Sequence, residues 1–366
     1  MQTSRGAGDS PIPDPGPIPV ILSLVIPAYN EGRRLAAGVS RLRGAIDVGA
    51  IDPEATEFIV VDDGSSDDTT EQASALFASF PHVRHVRLPE NRGKGGAVRA
   101  GVAVATAPII AFADADMAID PAQTPQFIAA LSQADLAIGS RAGPEASVDR
   151  PSLQRSIMNR VFNRLVNALT RVSLADTQCG FKAFRAPAAK LLFHCSITER
   201  FAFDVEVLSL ARRLGFSIHE VPVHWLRVEG SQIRPWSDAR SMIRDVIRAG
   251  RASALAPPIP TLTVKVPAEH ALGSDAPTPV DALRALLPPG LSLLAQDDGQ
   301  MLVLCPLMAE LEIDAVATQI LAHHPGAALE RAVTTMAQLS AMTPLQLHSD
   351  QASRSSEGNR TPLRHR

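Results

Sequence analysis

Short apolar runs, often β-branched, recur at residues 21–26, 58–61, 83–88, 109–112 and 136–138, with helically spaced stretches at 31–45, 67–78, 93–105 and 123–132 between them. A strand that is apolar on both faces has to be covered on both. Strands that alternate with helices achieve this as a parallel sheet flanked by helices. The rhythm predicts an α/β fold with a mostly parallel sheet over residues 20–256. Three helix starts are legible: Asn30 or Glu31 after the first run, Ser66-Asp67-Asp68 after the second, and Asp120-Pro121 after the fourth, where proline takes the first helical position.

In such sheets ligands gather beyond the carboxyl ends of the strands. Three polar strings fall there: Pro27-Ala28-Tyr29-Asn30-Glu31, Asp62-Asp63-Gly64-Ser65 and Asp114-Ala115-Asp116. Asp114 and Asp116, two residues apart, share a strand face, and their hard oxygens suit Mg2+ or Mn2+ held against a diphosphate. A cation there would offset charge on a departing nucleotide. Asp62 and Asp63 either cap the next helix or offer a carboxylate to a nucleobase or ribose, with Asp63 the favoured ligand. Gly93-Lys94-Gly95-Gly96 opens a helix and can turn Lys94 and backbone N–H groups toward phosphate. Its spacing matches neither GxGxxG nor GxxxxGK[ST], which removes the dinucleotide and P-loop readings.

Charge and cysteine usage narrow the setting. A formal charge of −3 over 366 residues argues against a general nucleic-acid binder. Cys179, Cys195 and Cys305 are an odd set without CxxC spacing, so neither a disulfide framework nor a thiolate zinc site is expected, and a reducing cytoplasm fits best. Residues 1–19, with five prolines and three glycines, read as a disordered lead lacking the basic start and apolar core of a signal peptide. No run reaches the roughly 18 apolar residues of a membrane span. A soluble or peripheral protein is the expectation.

Past residue 150 the rhythm changes. Residues 150–171 form a helical candidate with Leu153, Ile157, Val161, Leu165 and Leu169 in i, i+4 steps, five arginines and no acid. Further candidates are a helix at 203–214, a strand at 217–223 and an Arg-rich helix at 237–252. Residues 227–254 hold six arginines against three acids. This one-sided charge suits an anionic membrane surface. After Pro257-Pro258-Ile259-Pro260, residues 261–345 read as a small α+β module with strands at 291–295 and 300–304 and a helix at 308–323. Residues 346–366 read as a disordered tail.

Taken together, several strings resemble family 2 glycosyltransferases of the GT-A (Rossmann-like) fold. They are Val25-Ile26-Pro27-Ala28-Tyr29-Asn30-Glu31, Ile59-Val60-Val61-Asp62-Asp63-Gly64-Ser65, Asn91-Arg92-Gly93-Lys94-Gly95-Gly96, Phe112-Ala113-Asp114-Ala115-Asp116 and Gly139-Ser140-Arg141. Downstream, Asp176-Thr177-Gln178-Cys179-Gly180-Phe181-Lys182, Phe201-Ala202-Phe203-Asp204-Val205-Glu206 and Glu220-Val221-Pro222-Val223-His224-Trp225 are similar to the dolichyl-phosphate β-glucosyltransferase and polyprenyl-phosphate glycosyltransferase branch. The similarity spans residues 21–252.

The resemblance implies that Pro27, Ala28, Tyr29, Glu31 and Asp63 hold the nucleoside, that Asp114 and Asp116 hold the metal and diphosphate with Lys94 and Ala115 in the same donor site, and that Arg141, Arg155 and Arg234 face an acceptor phosphate. Relatives with a mannose donor often carry glutamine where this chain has Ala118, which favours UDP-glucose over GDP-mannose. Relatives often carry lysine where this chain has Gln232, and Arg234 takes over that charge. The implied activity is inverting transfer of a hexose to a dolichyl or polyprenyl phosphate by a peripheral enzyme on the cytoplasmic face of a membrane. The alternatives are a GDP-mannose-dependent mannosyltransferase, a glycosyltransferase with a soluble acceptor, and a nucleotide-sugar-binding protein without turnover. Asp204 and Glu206 either position the acceptor loop or support the core.

Overall fold

Alternate residues of β1 (Leu22–Ala28) serve two different cores: Val25 packs on one side of the sheet, Leu24 and Ile26 on the other. This is why the run is apolar apart from Ser23, which is buried and donates to Glu57 Oε2 (2.7 Å). β1 lies between β2 (Thr56–Asp62) and β4 (Ile109–Ala113), parallel to both, and β3 (Val83–Arg87) extends the sheet beyond β2. The computed structural model describes residues 19–142, 145–148, 164, 166–167, 172–200, 202–226, 259–265, 287, 291–295, 300–306, 308, 310–323 and 327–334.

With β5 (Leu136–Ser140), β7 (Phe181–Arg185) and β8 (Ile218–Pro222), the main sheet has seven strands in the order β3-β2-β1-β4-β7-β5-β8. Only β7 runs against its neighbours, antiparallel to β4 and β5. A short parallel pair, β6 (Ser147–Val148) with β9 (His224–Trp225), sits beside it. One face of the sheet is covered by α3 (Lys94–Val104), α5 (Ala186–Cys195) and α6 (Phe203–Arg213), through Val98, Leu192 and Phe203. The other is covered by α1 (Leu35–Asp47), α2 (Thr69–Phe77) and α4 (Thr124–Ala130), through Leu42, Phe77 and Phe127. The α/β class and the mostly parallel sheet are as expected. β3 alternates half-buried valines with exposed Arg84, His85 and Arg87, the charged pattern of an edge strand.

Several boundaries differ from the reading above. The first helix starts at Leu35 rather than at Asn30 or Glu31, because the intervening amides are already taken. Asn30 N–H donates to Ser65 Oγ (3.0 Å), Glu31 N–H to Thr69 Oγ1 (2.8 Å) and Gly32 N–H to Asp67 Oδ2 (3.3 Å). Asp120 does cap as anticipated, accepting from Ala122 N–H (2.9 Å), with Pro121 at the first position of a 3-10 turn that leads into α4. β7 and α5 had no counterpart in the periodicity, since Lys182 and Arg185 break the apolar pattern of the strand.

The last module begins two residues earlier than expected, with β10 (Ile259–Lys265), and has four strands rather than two. β11 (Ser292–Ala295), β12 (Gln300–Leu304), β10 and β13 (Ala328–Thr334) lie in that order, antiparallel throughout. Helix α7 (Glu310–His323) packs Ile313, Val316 and Ile320 against Leu262, Val264 and Val303. Ile259 and Leu304 belong instead to the buried cluster that includes Leu191 and Leu192 of α5, so the module shares a core with the main sheet.

Arg155, Arg234, the 237–252 helix, nearly all of the 1–19 lead and the 346–366 tail lie outside the described residues. Of 150–171, Arg164, Val166 and Asn167 are described, and Val166 is buried with Ala202 and Val205. Among the described residues no helix is long and apolar enough to cross a membrane.

Candidate functional site

β4 delivers Asp114 to the sheet edge, and the backbone there is locked from three sides. Asp114 N–H donates to Gly180 O (3.2 Å), Met117 N–H closes a turn onto Asp114 O (2.8 Å), and Arg41 of α1 donates to Asp116 O (2.7 Å). Met117 adopts φ 46°, a left-handed conformation that a side chain rarely takes and that clusters at functional sites. Two glycines permit the approach. A Cβ on Gly180 would stand 2.0 Å from Asp114 Oδ2, and one on Gly38 would stand 2.0 Å from Ala115 O. Helix α1 therefore presses on the backbone between the two acids, and the 176–180 loop on the Asp114 carboxylate itself.

The charges form an alternating set around Phe112. Lys94 Nζ pairs with Asp114 Oδ1 at 2.6 Å and lies 5.7 Å and 5.8 Å from the ring centres of Phe112 and Phe203. Lys182 Nζ pairs with Asp204 Oδ1 at 2.6 Å, fully buried, and is 5.4 Å from the Phe112 ring centre. Burial opposes the charge on Lys94, yet Asp114 and Asp204 hold its pKa above the ordinary lysine value. Asp116 is pushed up by burial and then by Asp114, while accepting from Ala118 N–H at 3.1 Å. Glu31 is pushed up by burial too, with Asp116 and Asp114 adding to it against the neighbouring Arg34.

Glu31 Oε2 is buried and has no hydrogen-bond partner. An unpaired carboxylate oxygen beside two more carboxylates is costly unless a cation or a donor group arrives. Among the described residues no cluster of three or more His, Cys, Asp or Glu could enclose a metal. Two carboxylates open to solvent on one side still fit a Mg2+ or Mn2+ site completed by substrate phosphate and water, the usual arrangement for magnesium. The Asp114 side chain, 38 % exposed, leaves that side open.

The other strand ends converge as expected. Pro27 and Ala28 close β1 opposite Val61 and Asp62, Tyr29 is exposed, and Asn30 adopts φ 51°. Asn30 does not cap α1; its Oδ1 accepts from Ser66 N–H (3.0 Å) and ties the first two strand-end loops together. Asp62 accepts from Ser65 N–H (2.8 Å) and from the Thr70 hydroxyl. Asp63 is buried and accepts from Arg92 N–H (2.8 Å), Gly93 N–H (2.7 Å) and Asn91 Nδ2 (3.0 Å), so in this structure it orders the approach to α3. In the Gly93-Lys94-Gly95-Gly96 string Gly93 N–H is taken by Asp63, and Lys94 turns toward Asp114. Gly96 N–H donates to Glu199 O (3.1 Å) and is taken by the 196–200 loop.

Arg141, at the end of β5, is held by a residue that sequence reasoning did not single out. Its Nε and Nη2 donate to Asp176 Oδ2 (2.6 Å) and Oδ1 (2.9 Å), and this two-pronged contact keeps the buried Asp176 carboxyl below its usual range despite desolvation. Asp204 and Glu206 resolve to support. Asp204 balances Lys182, and Glu206 accepts from the Ser196 hydroxyl (2.8 Å), Ile197 N–H (3.1 Å) and Thr198 N–H (2.8 Å). Asp176, Lys182 and Gly180 all sit in one quoted string, but nothing in its spacing marks which of them faces the acids.

Comparison with known proteins identifies the family. The profile of the family described as glycosyl transferase family 2 matches residues 23–193. The chain is 40 % identical over 239 residues to a dolichyl-phosphate beta-glucosyltransferase of Drosophila melanogaster, covering 62 % of this chain and 73 % of that protein. It is 36 % identical over 238 residues to the human protein of the same name, covering 62 % and 74 %. Among solved structures, glucosyl-3-phosphoglycerate synthase from Mycobacterium tuberculosis in complex with UDP is similar at a TM-score of 0.48 and 23 % identity, over 65 % of this chain and 81 % of that one. At that level the likeness bears on neither donor nor metal. The family profile over residues 23–193 and relatives matched at 36–40 % identity over about three quarters of their length lead to one conclusion: the chain belongs to glycosyltransferase family 2.

Proposed function

We propose that this enzyme transfers glucose from UDP-glucose to the phosphate of a dolichol or other polyprenol, with inversion at the anomeric carbon. The observation that carries the reading is the setting of Asp114 and Asp116 at the end of β4, closely approached by Gly180 and Gly38 and beside Glu31, whose Oε2 has no hydrogen-bond partner. The names of the relatives supply the glucose and the dolichyl phosphate.

Asp114 and Asp116 would hold Mg2+ or Mn2+, which when bound offsets charge on the leaving diphosphate. Pro27, Ala28, Tyr29, Glu31 and Asp63 frame the nucleoside. Lys94 lies close enough to Asp114 to follow charge onto the diphosphate as it builds. Arg141, oriented by Asp176, presents a permanent charge to the acceptor phosphate, with Arg155 and Arg234 assigned to the same anion. That phosphate has a second pKa of about 6, so near neutrality it is largely a dianion and attacks without a strong general base. Alignment is then the main task of the protein. Direct in-line attack on an α-linked donor yields a β-linked lipid-phosphate sugar. The arginine bias of residues 150–171 and 227–254 supports peripheral attachment to the anionic cytoplasmic face of a membrane.

The test is a matrix of donors and acceptors. Purified protein with magnesium is offered UDP-glucose or GDP-mannose, each with a short polyprenyl phosphate or a water-soluble phosphate. A lipid-linked glucose formed from UDP-glucose alone is the expected product. Mannose transfer, product only with the soluble acceptor, or binding without consumption would each replace this reading. Sedimentation with anionic liposomes at low salt checks the attachment, and protein left wholly in the supernatant would contradict it.

A further inference from the structure

The 176–180 loop is built more firmly than its length requires. Glu220 Oε1 accepts from Ala175 N–H (3.0 Å) and Asp176 N–H (3.2 Å), Asp176 Oδ1 accepts from Gln178 N–H (3.1 Å), and Gly180 O accepts from Asp114 N–H (3.2 Å). Within this fixed loop the side chain of Gln178 is the exception. Its Nε2 is buried and donates to nothing. Gln178 as a residue is only half-buried, but a buried amide N–H without an acceptor is destabilising.

The loop that carries this donor runs between two proposed phosphate sites. At one end Gly180 lies against Asp114, which the proposed function places at the diphosphate; at the other Asp176 grips Arg141, which it places at the acceptor phosphate. The group that lies between leaving diphosphate and attacking phosphate during transfer is the hexose. A phosphate on either side is already met by a cation, Lys94 or Arg141. A neutral carboxamide N–H matches a neutral hydroxyl oxygen.

We propose that Gln178 reads a hydroxyl of the transferred hexose, donating from Nε2 to its oxygen, and so sets which sugar the enzyme accepts. The inference rests on the donor assignment above. Sites built around such a bond reject sugars that lack it, because the buried donor is then left unpaired.

The test uses full-length wild type, Gln178→Met and Gln178→Asn, with UDP-glucose and its 2-, 3-, 4- and 6-deoxy analogues as donors and a polyprenyl phosphate as acceptor. Wild type is expected to discriminate against one analogue by about 10- to 100-fold in kcat/KM, and Gln178→Met to lose about the same factor on UDP-glucose while no longer distinguishing that analogue. UDP affinity, measured by calorimetry, should stay within about 2-fold, because the nucleotide does not reach Gln178. Preserved discrimination in Gln178→Met, or an equal loss for every donor together with UDP, overturns the proposal. If Gln178→Met fails to fold, Gln178→Asn carries the comparison, since its shortened carboxamide should weaken the same discrimination and no other. A wild type that moves no glucose from UDP-glucose would instead overturn the donor assignment, a separate and visible failure.

Discussion

Gly180 is the residue on which the position of Asp114 most directly depends. Its missing side chain makes room for Asp114 Oδ2, so Gly180→Ala must displace either the loop or the carboxylate. We expect transfer to fall by about 10²-fold with the protein still folded, because misplacing a reacting group by about 1 Å costs that much; an unchanged rate with an unchanged melting temperature would refute it. Asp176 gives a pH prediction. Its folded pKa lies below the ordinary 3.8, so its contribution to stability is complete above the unfolded value and is lost as pH falls through the folded one. Denaturant midpoints should drop as pH falls from above the ordinary 3.8 through the lower folded value, and Asp176→Asn, weaker at the start, should lose less over that window. At this scale the sequence was legible where chemistry is local, as in Asp114-Ala115-Asp116. It was silent on Asp176 and Gly180, because what matters there is a partner 35 residues away in Arg141 for the first and an approach of two backbones for the second.

Among the elements, α1 has an unexpected part in the site. Its Gly38 faces Ala115 O with no room for a methyl, and its Arg41 donates to Asp116 O. Gly38→Ala gains about 1 kcal/mol of intrinsic helix propensity but forces backbone against backbone, so it should lower stability by about 1–3 kcal/mol and reduce transfer by about 10-fold or more at temperatures where the variant is still fully folded, as parallel melting and rate measurements would show. A rate left intact in the folded variant would mean that α1 is only scaffold. Inner parallel strands such as β1 and β4 were readable because they are largely apolar on both faces. β7 was not, since its Lys182 is made tolerable by Asp204 on a different element. The start of α1 was misplaced for a related reason: Asn30 looks like a cap but serves the neighbouring loop at Ser66.

On the scale of the whole molecule, the last module shares buried surface with the main sheet through Ile259 and Leu304. The proline-rich string before it suggested a boundary, and composition cannot reveal that a residue within that string is buried in the core of its neighbour. Ile259→Ala should destabilise the entire chain by about 2–5 kcal/mol and lower a single unfolding transition. Two separate transitions, with only the smaller one moved, would show that the module folds independently.

The central claim is that Asp114 and Asp116 steady the nucleotide as it departs. Its most direct measurement is transfer of labelled glucose from UDP-glucose to polyprenyl phosphate by wild type and by Asp114→Asn, each with and without a chelator. Lipid-linked label is expected from wild type, abolished by the chelator and reduced by about 10²- to 10³-fold in the variant. Equal label from the variant, or label indifferent to the chelator, would contradict it.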